Sequence, residues 1–122
     1  MRNSDIVVLH CPLNDSTRGM INAEKLSMMK SSAMLVNVAR GPVVNEKDLA
    51  DALKNGVIAG AAVDVFEKEP PLDTACEILH APNCLVTPHV AFATKESMSL
   101  RAEIVFQNLE DWMNGNPGNL VK

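Results

Sequence analysis

Residues 33–63, AMLVNVARGPVVNEKDLADALKNGVIAGAAV, read as strand, turn, helix, turn and strand, and this unit decides the fold. Ala33 to Val38 is a short apolar run rich in β-formers, and the chain turns after it at Gly41-Pro42. Asn45, followed three residues later by Asp48, marks a helix start. Leu49, Ala52 and Leu53 then share one helical face, and Gly56 is placed to close the helix. Val57 to Val63 returns as a second buried strand, whose small residues allow close approach of helices or a ligand to the backbone. Two strands joined by a helix run parallel, because the crossover carries the chain back to its starting edge.

The same alternation extends in both directions. Asp5 to Leu9 (DIVVL) is a nearly continuous apolar run, expected to be a strand covered on both faces and ended by His10-Cys11-Pro12. Asn22 caps a short helix through Met29, which Ser31-Ser32 break. Glu67 to Asn83 is rich in proline and acidic residues and reads as a loop with one short helix around Thr74 to Leu79. Cys84 to Thr87 is a fourth strand stopped by Pro88. From Thr94 to about Met113, Met98, Ala102, Val105, Leu109 and Trp112 fall near one helical face, and Gly115 with Pro117 ends a long closing helix. The expected class is α/β, a parallel Rossmann-like sheet corresponding to the C-terminal half of a doubly wound domain plus a closing helix. No G-x-G-x-x-G is present: Gly115 and Gly118 lie in a terminal turn with neither the strand before nor the helix after that a pyrophosphate cradle requires.

Composition narrows the function. The chain has 122 residues, 47% of them hydrophobic, and a net charge of -4, the profile of a globular domain. With no basic block and no apolar run near 20 residues, nucleic-acid and membrane roles are not expected. The start, Met-Arg-Asn-Ser-Asp, has none of the marks of a secretory signal, so a cytoplasmic location is expected. Cys11, Cys76 and Cys84 are expected to be free thiols.

In open parallel sheets, functional groups gather beyond the carboxyl ends of the strands. Here those ends deliver His10, Cys11 and Pro12, then Arg40, then Asp64 and Glu69, then His89. An arginine can hold a substrate carboxylate with two parallel hydrogen bonds. A histidine can pass a proton to a keto oxygen as hydride arrives from a nicotinamide, and a carboxylate behind it fixes its orientation. Arg40, His89 and Glu69 suit those three roles in the reduction of a 2-oxo acid. Singly, each also fits a plainer role: Arg40 as a cap or surface pair, Glu69 with Glu67 as a solvated loop, His89 as a satisfied loop histidine. Their placement on successive strand ends favours the shared site. A zinc set of Cys76, His80, Cys84 and His89 is disfavoured, because the spacing is not that of a tight cysteine hook and Cys84 falls in a strand expected to be buried. No metal is expected.

The strings HCPLNDSTRGMIN (10–22), LVNVARGPVVNEKDLADAL (35–53), GAAVDVFEKEP (60–70) and NCLVTPHVAFAT (83–94) resemble, in order and spacing, successive motifs of the D-isomer-specific 2-hydroxyacid dehydrogenases. The resemblance implies an NAD-dependent oxidoreductase, with NADP also possible, acting on a small 2-hydroxy or 2-oxo acid. It implies that Arg40 binds the substrate carboxylate, Glu69 pairs with the histidine, and His89 is the acid/base. It implies also that Asp64 faces the nicotinamide amide and that Cys11, Pro12, Thr17, Val38 and Ala91 line the cofactor. The stretch HVAFAT is most similar to the glycerate dehydrogenase and hydroxypyruvate reductase members. The family pattern begins with a substrate-binding domain and a glycine-rich turn, so the chain is expected to be a truncated, C-terminal portion with little turnover of its own. Exposed apolar surface left by that truncation makes a homo-oligomer the expected state. A non-catalytic, dimerising interaction module of the same fold is the alternative.

Overall fold

The computed structural model describes residues 1–68 and 72–121. They form two compact units, Met1–His89 and Val90–Lys122.

The first unit is built on a four-stranded sheet in the order β1 (Ile6–Leu9), β2 (Met34–Asn37), β3 (Gly60–Val63), β4 (Cys84–Val86). Every pairing is parallel, as the βαβ pattern predicts. Three of the strands pair in one row, Leu9 with Asn37 with Val63, and Val86 completes it on β4. The next residues of all four strands therefore emerge at one edge.

Each helix forms where the sequence places its signals. Helix α1 (Ala23–Ser27) is capped by Asn22, whose side-chain oxygen accepts from the Lys25 amide at 3.1 Å. Helix α2 (Glu46–Lys54) is capped by Asn45, which accepts from the Asp48 amide at 3.1 Å. Its far end closes on Gly56 at φ +65°, with the Gly56 amide donating to Leu53 and the Val57 amide to Ala52 at 2.9 Å. That paired arrangement needs a left-handed residue, which glycine adopts without a Cβ penalty. Leu49, Ala52 and Leu53 are buried against the core with Leu26, Leu35 and Ile58.

Three expectations need correction. The first strand is not covered on both faces: Ile6 is 59% and Val8 47% exposed. Side chains alternate across a strand; α1, α2 and the turn 77–80 all belong to the buried side, with Leu9, Leu35, Ala61 and Val63. On the opposite side Leu85 of β4 is 66% exposed, while Cys84, in register with Ala61 on the buried side, is only partly buried. Second, β3 begins at Gly60 rather than Val57, and the closest approach there is made by a neighbouring chain segment: a Cβ on Gly60 would stand 3.0 Å from the Asn83 carbonyl. Third, the helix expected around Thr74 to Leu79 is a single 3-10 turn, Glu77–His80, packed on α2 and β4.

The second unit holds α3 (Lys95–Met113), which begins where Thr94 accepts from the Ser97 amide at 3.1 Å. The Arg101 guanidinium lies 5.1 Å from the Phe92 ring centroid, tying the entry of the helix to its second turn. Met98, Val105, Leu109 and Trp112 are all exposed, and α3 buries none of its residues.

Candidate active site

At the carboxyl end of β2 the buried Asn37, 1% exposed, organises the turn that presents Arg40. Its side-chain oxygen accepts from the Ala39 amide at 3.1 Å, and its amide group donates to the Arg40 carbonyl at 3.2 Å. Arg40 itself is extended and exposed, with Nη1 donating to the Ala39 carbonyl at 2.7 Å. Asn37 was not singled out from the sequence. A polar residue in the strand pattern AMLVNV was the available signal, since buried polar groups in strands must find partners.

Immediately after Arg40, Gly41 is pressed onto the loop that leaves β3. A Cβ there would stand 1.9 Å from the Phe66 carbonyl carbon and oxygen and 2.5 Å from the Glu67 nitrogen. Only a residue without a side chain permits that contact, so the requirement for glycine is steric.

The ends of β3 and β4 are joined through Asp64. This carboxylate is 3% exposed and accepts from the Thr87 hydroxyl at 2.5 Å, while the Asp64 amide donates to the Asn37 carbonyl at 3.0 Å. Three successive strand ends are thus bonded to one another, β2 to β3 through Asn37 and Asp64, and β3 to β4 through Asp64 and Thr87. Thr87 is a second residue that sequence reasoning missed. Two residues beyond it, His89 is partly buried and takes φ +57°. A left-handed backbone at a non-glycine residue costs about 1–3 kcal/mol and clusters at functional sites.

At the end of β1, His10, Cys11, Pro12 and Leu13 form one wall of an open groove of about 510 Å³, and Val38, Ala39 and Arg40 form the other. The structure therefore brings Cys11, Pro12, Val38 and Arg40 together. Thr17 secures this wall: its hydroxyl donates to the Pro12 carbonyl at 2.7 Å, and its amide donates to the Asn14 side chain at 3.1 Å. Its lining side chains are a histidine, a thiol, the apolar groups of Pro12, Leu13, Val38 and Ala39, and the arginine. Ala91 belongs to the second unit. Glu69 lies outside the described residues.

Cys11, Cys76 and Cys84 are free thiols, and burial alone pushes the Cys84 thiol up to about 11.

Residues 1–91 match the family described as D-isomer specific 2-hydroxyacid dehydrogenase, NAD binding domain. The chain is 46% identical over 124 residues to glycerate dehydrogenase of Methylorubrum extorquens, covering 100% of this chain and 39% of that protein. It is 40% identical over 121 residues to hydroxypyruvate reductase of Blautia hydrogenotrophica, covering 99% of this chain and 37% of that protein. Among solved structures, D-lactate dehydrogenase with NAD+ from Lactobacillus jensenii superposes with a TM-score of 0.86 at 33% identity, over 99% of this chain and 40% of that one. The chain thus spans about 40% of the length of the dehydrogenases and reductases that it matches. Its parallel sheet and its sequence agree: this chain belongs to the D-isomer specific 2-hydroxyacid dehydrogenase family, and its residues 1–91 match that family's NAD-binding domain.

Proposed function

We propose that these residues furnish the catalytic half of an NAD-dependent oxidoreductase that interconverts a small D-2-hydroxy acid and its 2-oxo acid, of the glycerate and hydroxypyruvate type. Arg40 holds the substrate carboxylate through two parallel hydrogen bonds. His89 donates a proton to the keto oxygen during reduction and takes it back during oxidation. Glu69 orients the imidazole and favours its protonated form. Cys11, Pro12, Thr17, Val38, Asp64 and Ala91 serve the cofactor, with Asp64 directed to the nicotinamide amide. When bound, the nicotinamide supplies or accepts the hydride.

The observation that carries this proposal is the seating of Gly41 on the Phe66–Glu67 backbone, which joins the strand end bearing Arg40 to the loop leading to Glu69. The left-handed backbone of His89 supports it. The choice between NAD and NADP rests on residues of a glycine-rich half that these 122 residues do not include. For the same reason the 122-residue chain alone is expected to show little or no turnover, since its sequence holds no G-x-G-x-x-G to cradle the pyrophosphate. Cytoplasmic location and assembly into a homo-oligomer belong to the same proposal.

The test is a chimaera in which residues 1–122 replace the matching stretch of the Methylorubrum extorquens glycerate dehydrogenase. NADH-dependent reduction of hydroxypyruvate is expected, with His89→Ala and Arg40→Ala each lowering kcat/KM at least 100-fold. A folded chimaera that binds NADH and keeps its activity without His89 refutes the assignment.

The exposed apolar side chains of Ile6, Val8 and Leu85 on one sheet face favour a second possibility, a dimerising module without catalysis. Light scattering combined with an NADH titration separates the two, since a dimer indifferent to NADH favours the module.

A further inference from the structure

The post-β3 loop is gripped from α2 at two points on either side of Glu69, and one carboxylate makes both contacts. Glu46, the first residue of α2, accepts a hydrogen bond from the Glu67 backbone amide through Oε1. Its other oxygen, Oε2, receives the Cys76 thiol at 3.7 Å. Burial foremost, and the Glu46 carboxylate beside it, push the Cys76 thiol up, so it stays protonated and able to donate. Farther along the same helix, Lys54 pairs with Glu77 at 2.6 Å, one residue beyond Cys76.

These contacts link residues 21 and 30 positions apart in sequence, so they are tertiary closures rather than local turns. Glu46 also lines the cleft formed by Glu67, Lys68, Leu72, Asp73, Ala75 and Cys76. Helix α2 is anchored at three places: its N-cap is made by Asn45, its buried face is in the core, and its C-terminal end closes at Gly56. An acidic side chain at the first helical position is also favoured by the helix dipole.

We infer that Glu46 is a positioning residue for the proposed reaction: by stapling Glu67 and Cys76 to the start of α2, it fixes the described residues that flank Glu69 in the sequence. Glu69 follows Glu67 by two residues in the sequence. Gly41, seated against the same Phe66–Glu67 backbone, holds the loop from its other side. The inference rests on the role proposed for Glu69, but the staple itself can be measured without it.

The experiment has two arms. In the 122-residue chain, amide hydrogen exchange at Glu67 is measured by NMR for wild type, Glu46→Ala, Glu46→Asp and Glu46→Gln. Loss of the acceptor in Glu46→Ala, or its retraction in Glu46→Asp, is expected to speed Glu67 exchange about tenfold. Glu46→Gln, which keeps an acceptor oxygen, is expected within about threefold of wild type. The Leu35 amide, inside β2, reports global stability and shows that each variant is folded when its exchange stays far slower than that of Glu67. Unchanged Glu67 exchange in both Glu46→Ala and Glu46→Asp overturns the staple. If Glu46→Ala fails to fold, the Asp and Gln variants decide the same point.

In the chimaera described above, Glu46→Ala is expected to lower kcat about tenfold or more while the KM for hydroxypyruvate stays within about threefold. Glu46→Gln is expected to restore most of kcat, a rescue that a purely structural defect would not show. Faster Glu67 exchange with no loss of kcat in an active chimaera overturns the positioning role. An inactive parent chimaera instead counts against the enzymatic assignment, and the exchange data still decide the staple.

Discussion

Gly41→Ala probes the contact that brings Arg40 to the β3 loop. The added methyl would lie 1.9 Å from the Phe66 carbonyl carbon and oxygen, whereas an ordinary carbon contact is about 3.5–4.0 Å. Relief therefore needs a backbone displacement of about 1.5–2 Å, and the obstructing atoms are main chain rather than the end of a flexible side chain. Overpacking of a well-filled site costs about 1–3 kcal/mol and occasionally more, and this contact belongs at the upper end, about 3 kcal/mol. For a chain of this size that lowers Tm by about 10 °C. Gly56→Ala is the matched control: its site has φ +65° and no atom within 4 Å of the new methyl, so the cost is backbone strain alone, about 1–2 kcal/mol. Urea unfolding followed by far-UV circular dichroism gives both values. A cost below about 0.5 kcal/mol for Gly41→Ala would show that the Arg40 turn is not seated on the Phe66–Glu67 backbone, and the convergence of the two strand ends would lose its support.

Asn37→Ala removes both bonds that shape the Arg40 turn and strands the Ala39 amide, so a loss of about 2–3 kcal/mol is expected in the same unfolding assay; a loss under 0.5 kcal/mol contradicts the role given to this side chain. Thr87→Val deletes a hydroxyl donor to the buried Asp64 carboxylate and is expected to cost about 1.5–3 kcal/mol, with Thr87→Ser, which keeps the hydroxyl, losing much less. Burial raises the Cys84 thiol from an ordinary value of 9.0 to about 11. The folded state therefore holds this proton more tightly than the unfolded chain, and the contribution to stability is complete below about pH 9 and lost as pH climbs towards 11. Cys84→Ala should flatten that alkaline decline, and in wild-type protein iodoacetamide at pH 8 should label Cys84 more slowly than Cys11. Equal labelling rates count against the effect of burial.

The fold was legible because strand and helix signals fell in the same order as the topology. AMLVNV, Asn45 and Gly56 each carry local chemistry, an apolar run, a cap and a left-handed closure, that acts before any tertiary contact forms. What the sequence did not reveal were features set by the absence or approach of distant chain. Nothing in DIVVL says that Ile6 and Val8 face open space, because an apolar run reads the same whether one face or two are covered. The VIAGAAV run similarly hides where pairing starts, since Ile58 is buried outside the strand. At the candidate site, the strand-end rule singled out Arg40, Asp64 and His89 as candidates from position alone. It passed over Asn37, Gly41, Thr87 and Glu46, whose work is to bond or seat other residues and whose partners lie 2 to 30 positions away.

Convergence of Arg40 and His89 on one substrate is tested most directly by a crystal structure of the chimaera with NADH and oxamate, a carboxylate mimic of a 2-oxo acid. The carboxylate is expected to lie on the Arg40 guanidinium through two hydrogen bonds, with the adjacent carbonyl oxygen about 2.6–3.2 Å from a ring nitrogen of His89. Arg40 and His89 on opposite faces, or oxamate bound away from both, would contradict the account.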